Sequence, residues 1–276
     1  CHSGGNVISL YRKLKNDLPF PIACKELAKK YLNEDIEDDY KPSKEDEEKQ
    51  KEKESLQIIL SYAQEFYVQC IHEVNPAANK ARETVRKRWG ADAIERFGIG
   101  YAPRDGFIEW AMRKGLDFDL LEQVGLIGIG ERGKYAMLRD RYTIPIYDKM
   151  SNVIGFTART MSDDKDICKY LNLKNSLVYA KDKSVFGINF AQKEARLKNK
   201  FYLVEGAPDV VKLQSLEILN TVASLGGAWT ENQLKQLYHI SHTVTFIPDA
   251  DTLKPGNEWP AGTANVFANG REALAG

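Results

Sequence analysis

Phe201-Tyr-Leu-Val-Glu-Gly-Ala-Pro-Asp-Val-Val211 is the stretch from which the architecture unfolds. Phe201–Val204 reads as a short apolar strand, and Pro208–Leu219 carries apolar residues at helical spacing. The same alternation continues downstream. Thr221–Leu225 is a second strand, and Thr230-Glu-Asn-Gln233 is a capping box that opens a helix to Tyr238. Thr243–Ile247 is a third strand, and a third helix is predicted from Gly262. Strands and helices alternating at this length imply a parallel sheet with right-handed crossovers.

Acids follow two of these strands. Glu205 comes immediately after the first, and Asp209 starts the next helix. Asp249 and Asp251 follow the third strand, after Pro248. Ligands of an open parallel sheet bind outside the carboxyl ends of its strands, so all four acids are expected on one rim. Four converging carboxylates repel one another unless a cation neutralises them. A set of oxygen donors favours Mg²⁺ or Mn²⁺ over zinc. A lone Asp-x-Asp is a common turn former. Glu-Gly-x-x-Asp after one strand with Asp-x-Asp after another is far more specific.

Upstream the pattern differs. Residues 1–33 hold an amphipathic helix from Val7 and a second helix over Pro21–Leu32, and residues 34–55 form a charged linker whose start is a solvated helix or mobile. Leu56–Val74 and Ala77–Trp89 are predicted helices, the second basic on one face. Glu95–Pro103 suggests a strand and a turn, and Phe107–Lys114 and Asp119–Val124 short helices. From Tyr135 to Phe156 short β-rich runs form an antiparallel meander. The fold class read from the chain is thus an α+β region over residues 56–198 followed by an α/β domain with a parallel central sheet over residues 199–276.

The 276 residues are 43% apolar and 28% charged, the composition of an ordinary globular protein. No run approaches the roughly 18 apolar residues of a membrane-spanning helix, and no segment of these residues reads as a signal peptide with a basic start and apolar core. Four widely separated cysteines suit a reducing cytoplasm better than a disulfide framework. The formal net charge is zero, yet residues 131–204 hold 15 basic against 8 acidic side chains, and residues 205–276 hold 4 against 8. A basic block able to attract phosphates therefore precedes an acidic one able to hold a cation. The first residue is Cys1, and both ends read as cut from a longer chain.

A family resemblance joins these features. Val204-Glu-Gly-Ala-Pro-Asp-Val-Val211, Ala223-Ser-Leu-Gly-Gly227 with Thr230 and Gln233, and Phe246-Ile-Pro-Asp-Ala-Asp251 together resemble the TOPRIM (Rossmann-like) domain of DnaG-type DNA primases. Phe97-Gly-Ile-Gly-Tyr-Ala-Pro103, Arg141-Tyr-Thr-Ile-Pro-Ile146, Val153-Ile-Gly-Phe-Thr-Ala-Arg159, Lys169-Tyr-Leu-Asn172 and Lys181–Gly187 are similar to that family's catalytic-core motifs, in order. Cys1-His-Ser-Gly-Gly-Asn-Val-Ile8 looks like the exit of its zinc ribbon. The resemblance makes Cys1 the last zinc ligand, the other three lying upstream. One cysteine cannot hold a tetrahedral zinc, so no Zn²⁺ is expected on this piece. Asp140 stands where the family has Asn, and Thr252–Pro260 lengthens the loop after Asp251. Those departures point to a divergent branch, such as a phage or mobile-element primase.

The resemblance implies primer synthesis: an RNA polymerase acting on single-stranded DNA, with NTPs as substrates and an RNA primer as product. It implies a replicative helicase partner, no membrane association and a cytoplasmic location. Asp209, Asp249 and Asp251 are implied metal ligands, and Glu205 a ligand or a base for the attacking hydroxyl. Arg141, Arg159, Lys169 and Lys181 match positions facing template or NTP phosphates, and Asn172 orients one of them.

Two further patterns carry less. Gly128-Ile-Gly-Glu-Arg-Gly133 fits a dinucleotide-binding fingerprint, but without a preceding strand and following helix it reads as a hairpin turn. His239 and His242 lack a third ligand and read as surface residues. The rival functions are another TOPRIM enzyme, a nuclease or topoisomerase, and a non-catalytic DNA-binding module. A topoisomerase needs a nucleophilic tyrosine, which nothing here marks.

Overall fold

A computed structural model describes residues 6–15, 18–34, 43–131, 133–226 and 228–248. The chain divides into two compact units, Cys1–Glu52 and Lys53–Gly276. In the first, α1 (Val7–Leu14) starts where the Asn6 side chain accepts the Ser9 N–H at 2.9 Å, satisfying one orphan donor of the first turn. α2 (Phe20–Leu27) follows and ends in a π-turn over Ala28–Leu32. The Tyr11 hydroxyl donates to the Glu26 carboxylate at 2.7 Å and ties the two helices.

α3 (Lys44–His72) is 29 residues long. The expected linker is therefore helical from Lys44 onward, where Ser43 accepts the Asp46 N–H and Lys49 pairs with Glu45 one turn back. Burial starts at Leu56 and recurs at Ile59, Leu60, Ala63, Phe66, Tyr67, Cys70 and Ile71, a stripe of helical period. α4 (Pro76–Trp89) is capped by Asn75, which accepts the Ala78 N–H at 2.8 Å.

The Glu95–Pro103 segment opens with a one-turn helix, α5 (Ala93–Phe97), before β1 (Gly100–Ala102). A β-carbon on Gly100 would sit 2.6 Å from the Tyr67 backbone, so glycine is what lets β1 lie against α3. Two short helices, α6 (Phe107–Arg113) and α7 (Phe118–Gln123), lead to the hairpin of β2 (Ile127–Gly130) and β3 (Gly133–Ala136). The fingerprint-like glycines thus belong to a hairpin, as read from the sequence.

The meander follows as β4 (Arg141–Tyr147), β5 (Val153–Thr160) and β6 (Tyr170–Asn172), in an antiparallel sheet ordered β1-β4-β5-β6. The β4–β5 turn closes on Asp148, which accepts the N–H groups of Met150 and Asn152 at 2.8 and 2.9 Å. Tyr67 of α3 meets Phe156 edge-on, with centroids 5.4 Å apart, and stacks on Phe107. Each such ring contributes about 1.5–3 kcal/mol by leaving water.

The second sheet comprises β7 (Val185–Phe186), α8 (Ile188–Lys198), β8 (Phe201–Val204), α9 (Ala207–Ser215), β9 (Thr221–Ser224), α10 (Glu231–Tyr238) and β10 (Val244–Phe246). Strand order is β10-β8-β9-β7; β10, β8 and β9 run parallel, and β7 is antiparallel to β9. This sheet draws an edge strand from before residue 199. α9 stops at Ser215, short of Leu219, and Glu217 takes a positive φ of 63° just beyond it. α10 carries the expected capping box, Thr230 and Gln233 bonding reciprocally. Asp249, Asp251 and the predicted helix from Gly262 lie outside the described residues, as does Cys1. No helix among the described residues is long and apolar enough to cross a membrane.

Candidate active site at the carboxyl rim of the parallel strands

The site is built where β8 and β9 end. β8 delivers Glu205 at its carboxyl end, Gly206 continues in extended conformation, and Asp209 lies in the first turn of α9. A helix start favours a carboxylate through the macrodipole. Ser224, Leu225 and Gly226, at the end of β9, form the facing wall. Between them opens a pocket of about 370 Å³, closed on its other side by Thr157 of β5, Lys169, Tyr170 and Asn172 of β6, and Arg88 at the end of α4.

Thus Glu205, Asp209, Lys169 and Asn172, four of the residues predicted from sequence, share one pocket. Asn172 links the two sheets, its amide donating to the Leu225 carbonyl at 3.4 Å. Arg159 stands one layer back: its guanidinium lies 5.5 Å from the Tyr170 ring centroid and donates to that hydroxyl at 3.3 Å. Arg141 is not a wall of the pocket. It is buried, and its guanidinium donates to the Cys168 carbonyl at 2.9 Å and to those of Ala158 and Lys169 at 3.4 Å. Burial lowers its pKa from the ordinary value, but an arginine remains charged. Arg141 therefore anchors the backbone that carries Lys169. Lys181 is exposed and outside the pocket lining; its carbonyl accepts from Gln233 of the capping box at 2.9 Å.

Chain direction bears on the approach to Asp249 and Asp251. β10 pairs in parallel with β8, Phe246 opposite Leu203, and the Ile247 N–H donates to the Leu203 carbonyl at 2.8 Å. The chain at Pro248 leaves the sheet at the rim where Glu205 stands. Among the described residues no three carboxylate, histidine or cysteine side chains converge on a metal position; two of the four predicted acids lie outside that set.

Two residues of this site were not singled out from sequence. Arg88 lines the pocket, and its guanidinium sits 5.3 Å from the Trp89 ring centroid. Trp89 is buried, donates its indole N–H to the Pro208 carbonyl at 3.0 Å and packs edge-on against Tyr142. It clamps the first turn of α9, and so Asp209, to α4. The basic face of the Ala77–Trp89 helix was the available signal for Arg88; the Trp89 contact spans 119 residues of chain and left no local trace.

Comparison with known proteins gives a consistent set. Residues 67–192 match the family described as DNA primase catalytic core, N-terminal domain. The DNA primase of Pseudomonas putida is 33% identical over 99% of this chain, which spans 42% of that protein. The DNA primase of Clostridium acetobutylicum is 32% identical over 91% of this chain and 41% of its own. Among solved structures, a DnaG primase catalytic domain bound to single-stranded DNA superposes with a TM-score of 0.67 at 29% identity, covering 79% of this chain and 67% of that one. The Aquifex aeolicus primase, with zinc-binding and RNA polymerase domains, superposes with a TM-score of 0.68 at 27% identity over all of this chain and 63% of the other. The chain spans about two fifths of the length of these curated relatives.

Proposed function

Since the chain belongs to the DnaG-type DNA primase family, we propose that it carries the catalytic core of an enzyme that copies single-stranded DNA into short RNA primers. The observation that carries this reading is the shared pocket of Glu205, Asp209, Lys169, Asn172 and Arg88. Acids and bases face each other there across the ends of parallel strands, as nucleotidyl transfer requires. We assign residues 1–33 to the exit of a zinc ribbon, 34–55 to a connector, 56–198 to the basic half of the core and 199–276 to a TOPRIM domain.

In the reaction a 3′-hydroxyl attacks the α-phosphate of an NTP; a new P–O bond forms as the bond to pyrophosphate breaks, and the hydroxyl proton passes to a base, the role open to Glu205 when it is not a metal ligand. The donors at the rim fit a hard divalent cation: Glu205 and Asp209 offer only oxygens, and both line one pocket. Together with Asp249 and Asp251 they would hold Mg²⁺ or Mn²⁺, which when bound neutralises charge on the transferring phosphoryl group. Lys169 and Arg88 bind the anionic triphosphate from the opposite wall, while Arg159 and Lys181 extend the positive surface toward the template. Arg141 fixes the Cys168–Lys169 backbone, and Trp89 fixes the turn bearing Asp209.

The test is primer synthesis by the full-length protein on a single-stranded template with labelled NTPs. Glu205→Gln and Asp209→Asn should each reduce product at least about 100-fold, the order expected when a charge-stabilising group is removed, while single-stranded DNA binding persists. Strand cleavage in Mg²⁺ without synthesis would instead establish the nuclease or topoisomerase reading, and DNA binding without either would leave a binding module. A cytoplasmic location, a replicative helicase partner and a zinc ion held through Cys1 belong to the same proposal for the longer protein.

A further inference from the structure

The glycine-rich hairpin is built of features that the primer-synthesis reading does not use. Antiparallel pairing sets Gly128 opposite Tyr135 and Gly130 opposite Gly133. Paired residues share a face, so this face holds three glycines and one tyrosine. A β-carbon on Gly128 would lie 2.6 Å from the Tyr135 ring and its hydroxyl, and one on Gly130 would lie 3.4 Å from the ring. The ring is therefore laid flat across bare backbone. On it rests Arg139, its guanidinium carbon 5.2 Å from the ring centroid and its Nε–H donating to the Ala136 carbonyl at 2.9 Å. Tyr135 is 38% exposed, and Arg139 is exposed as well. The result is a guanidinium beside an aromatic ring, both exposed and one tied to the backbone of the hairpin.

The stack lines a cleft of about 550 Å³ with Gly130, Gly133, Lys134 and Glu131. Lys134 is held from the other side, its amine 4.4 Å from the Phe118 ring centroid. Among the described lining residues two cations face one carboxylate, so the cleft favours an anion. A second pocket touches both the hairpin and the residues of the proposed active site. Asn172 lines both the acidic pocket and this second pocket of about 180 Å³, and Gly128 of the hairpin lines that second pocket too.

We infer that the β2–β3 hairpin is a stacking platform for the single-stranded template beyond the acidic pocket, with one base on the Arg139–Tyr135 stack and adjacent phosphates met by Arg139 and Lys134. Aromatic rings and guanidinium planes accept any base, and cations track the backbone, which is the chemistry of sequence-tolerant single-strand binding. The two glycines of β2 are explained at the same time, since any side chain at Gly128 would displace the ring. This inference rests on the primase reading and deepens it.

Fluorescence anisotropy with labelled oligothymidylates of increasing length tests it, using the full-length protein and its variants. Tyr135→Ala and Gly128→Val should each weaken binding of long oligomers about tenfold, within the range for loss of one base–aromatic stack. The shortest oligomers that bind should be unaffected. Tyr135→Phe, which keeps the ring and the fold of the hairpin, should bind as the wild type does. Arg139→Ala should lower the slope of affinity against salt by about one phosphate contact. Equal affinity of wild type and Tyr135→Ala at every length, with Lys169→Ala weakened, overturns the platform and leaves the primase reading standing. No single-strand binding by the wild type overturns both.

Discussion

At the scale of single residues, environment separates groups that look alike in sequence. Arg141 and Lys169 both sit in basic motifs, yet one is buried against three carbonyl oxygens and the other lines an open pocket. Arg141→Lys should therefore lower folding stability by about 1–3 kcal/mol, the cost of leaving buried acceptors poorly met, as read from the urea midpoint. The salt dependence of DNA affinity should barely move, because the guanidinium is not presented to phosphate. A salt slope reduced by a full contact, with stability intact, would place Arg141 on the binding surface instead. Cysteines differ in the same way. Burial raises the Cys70 thiol to about 12, with the neighbouring Glu73 adding to it, whereas Cys168 is exposed next to Lys169. Only the thiolate is nucleophilic, so iodoacetamide should label Cys168 in the folded chain and spare Cys70 until denaturant is added. Prompt labelling of both under native conditions would contradict the burial of α3.

At the scale of elements, the site depends on packing between segments far apart in sequence. α4 meets α9 through Trp89 and the Pro208 carbonyl, and β1 meets α3 through Gly100 and the Tyr67 backbone. Trp89→Phe keeps the ring but removes the donor. It should cost about 1 kcal/mol and reduce primer synthesis more than it reduces DNA affinity, since the displaced turn bears Asp209; parallel losses in both assays would argue for a general loss of fold. Gly100→Ala should destabilise by about 1–3 kcal/mol, the usual range for overpacking, because the obstacle is backbone and cannot rotate aside. These contacts also explain what was legible beforehand. The alternation from Phe201, the hairpin at Gly128–Gly133 and the capping box at Thr230 each carry a local signal; the hairpin and the capping box lie at the predicted positions, and so do the three parallel strands, while the helix after Phe201–Val204 ends at Ser215, four residues short. α5 was read as strand and turn because one turn of helix shows no period. β6 and β7, three and two residues long, are defined by their partners alone. Of the site, the acids after β8 were visible as a motif, whereas Arg88 looked like any surface charge on a basic helix.

At the scale of the whole molecule, the Lys53–Gly276 unit is knit by one main core that runs from α3 to β9, with a smaller cluster around β8 and α10. Tyrosines are distributed through that unit and report on it. Burial pushes the hydroxyls of Tyr67, Tyr142 and Tyr179 far above their ordinary value, and those of Tyr101 and Tyr147 to about 12 from 10.0. For Tyr101 the carboxylate of Asp140 adds to the desolvation. The sign follows from linkage: between the unfolded and folded values the unfolded chain has released these protons and the folded chain has not. The stability they contribute is complete below about pH 10, and it is lost as the pH rises through about 12. Alkaline titration followed by phenolate absorbance should thus show a delayed phase, in which the buried set ionises together, in step with loss of helical circular dichroism. Because the buried rings belong to α3, β1, β4 and the loop before β7, a single cooperative second phase would mean that both sheets unfold as one body. Two separated late phases would mean that the parallel sheet and the antiparallel sheet come apart independently. Ionisation of every tyrosine in one gradual step, with helicity intact, would be incompatible with the buried aromatic core described for this chain.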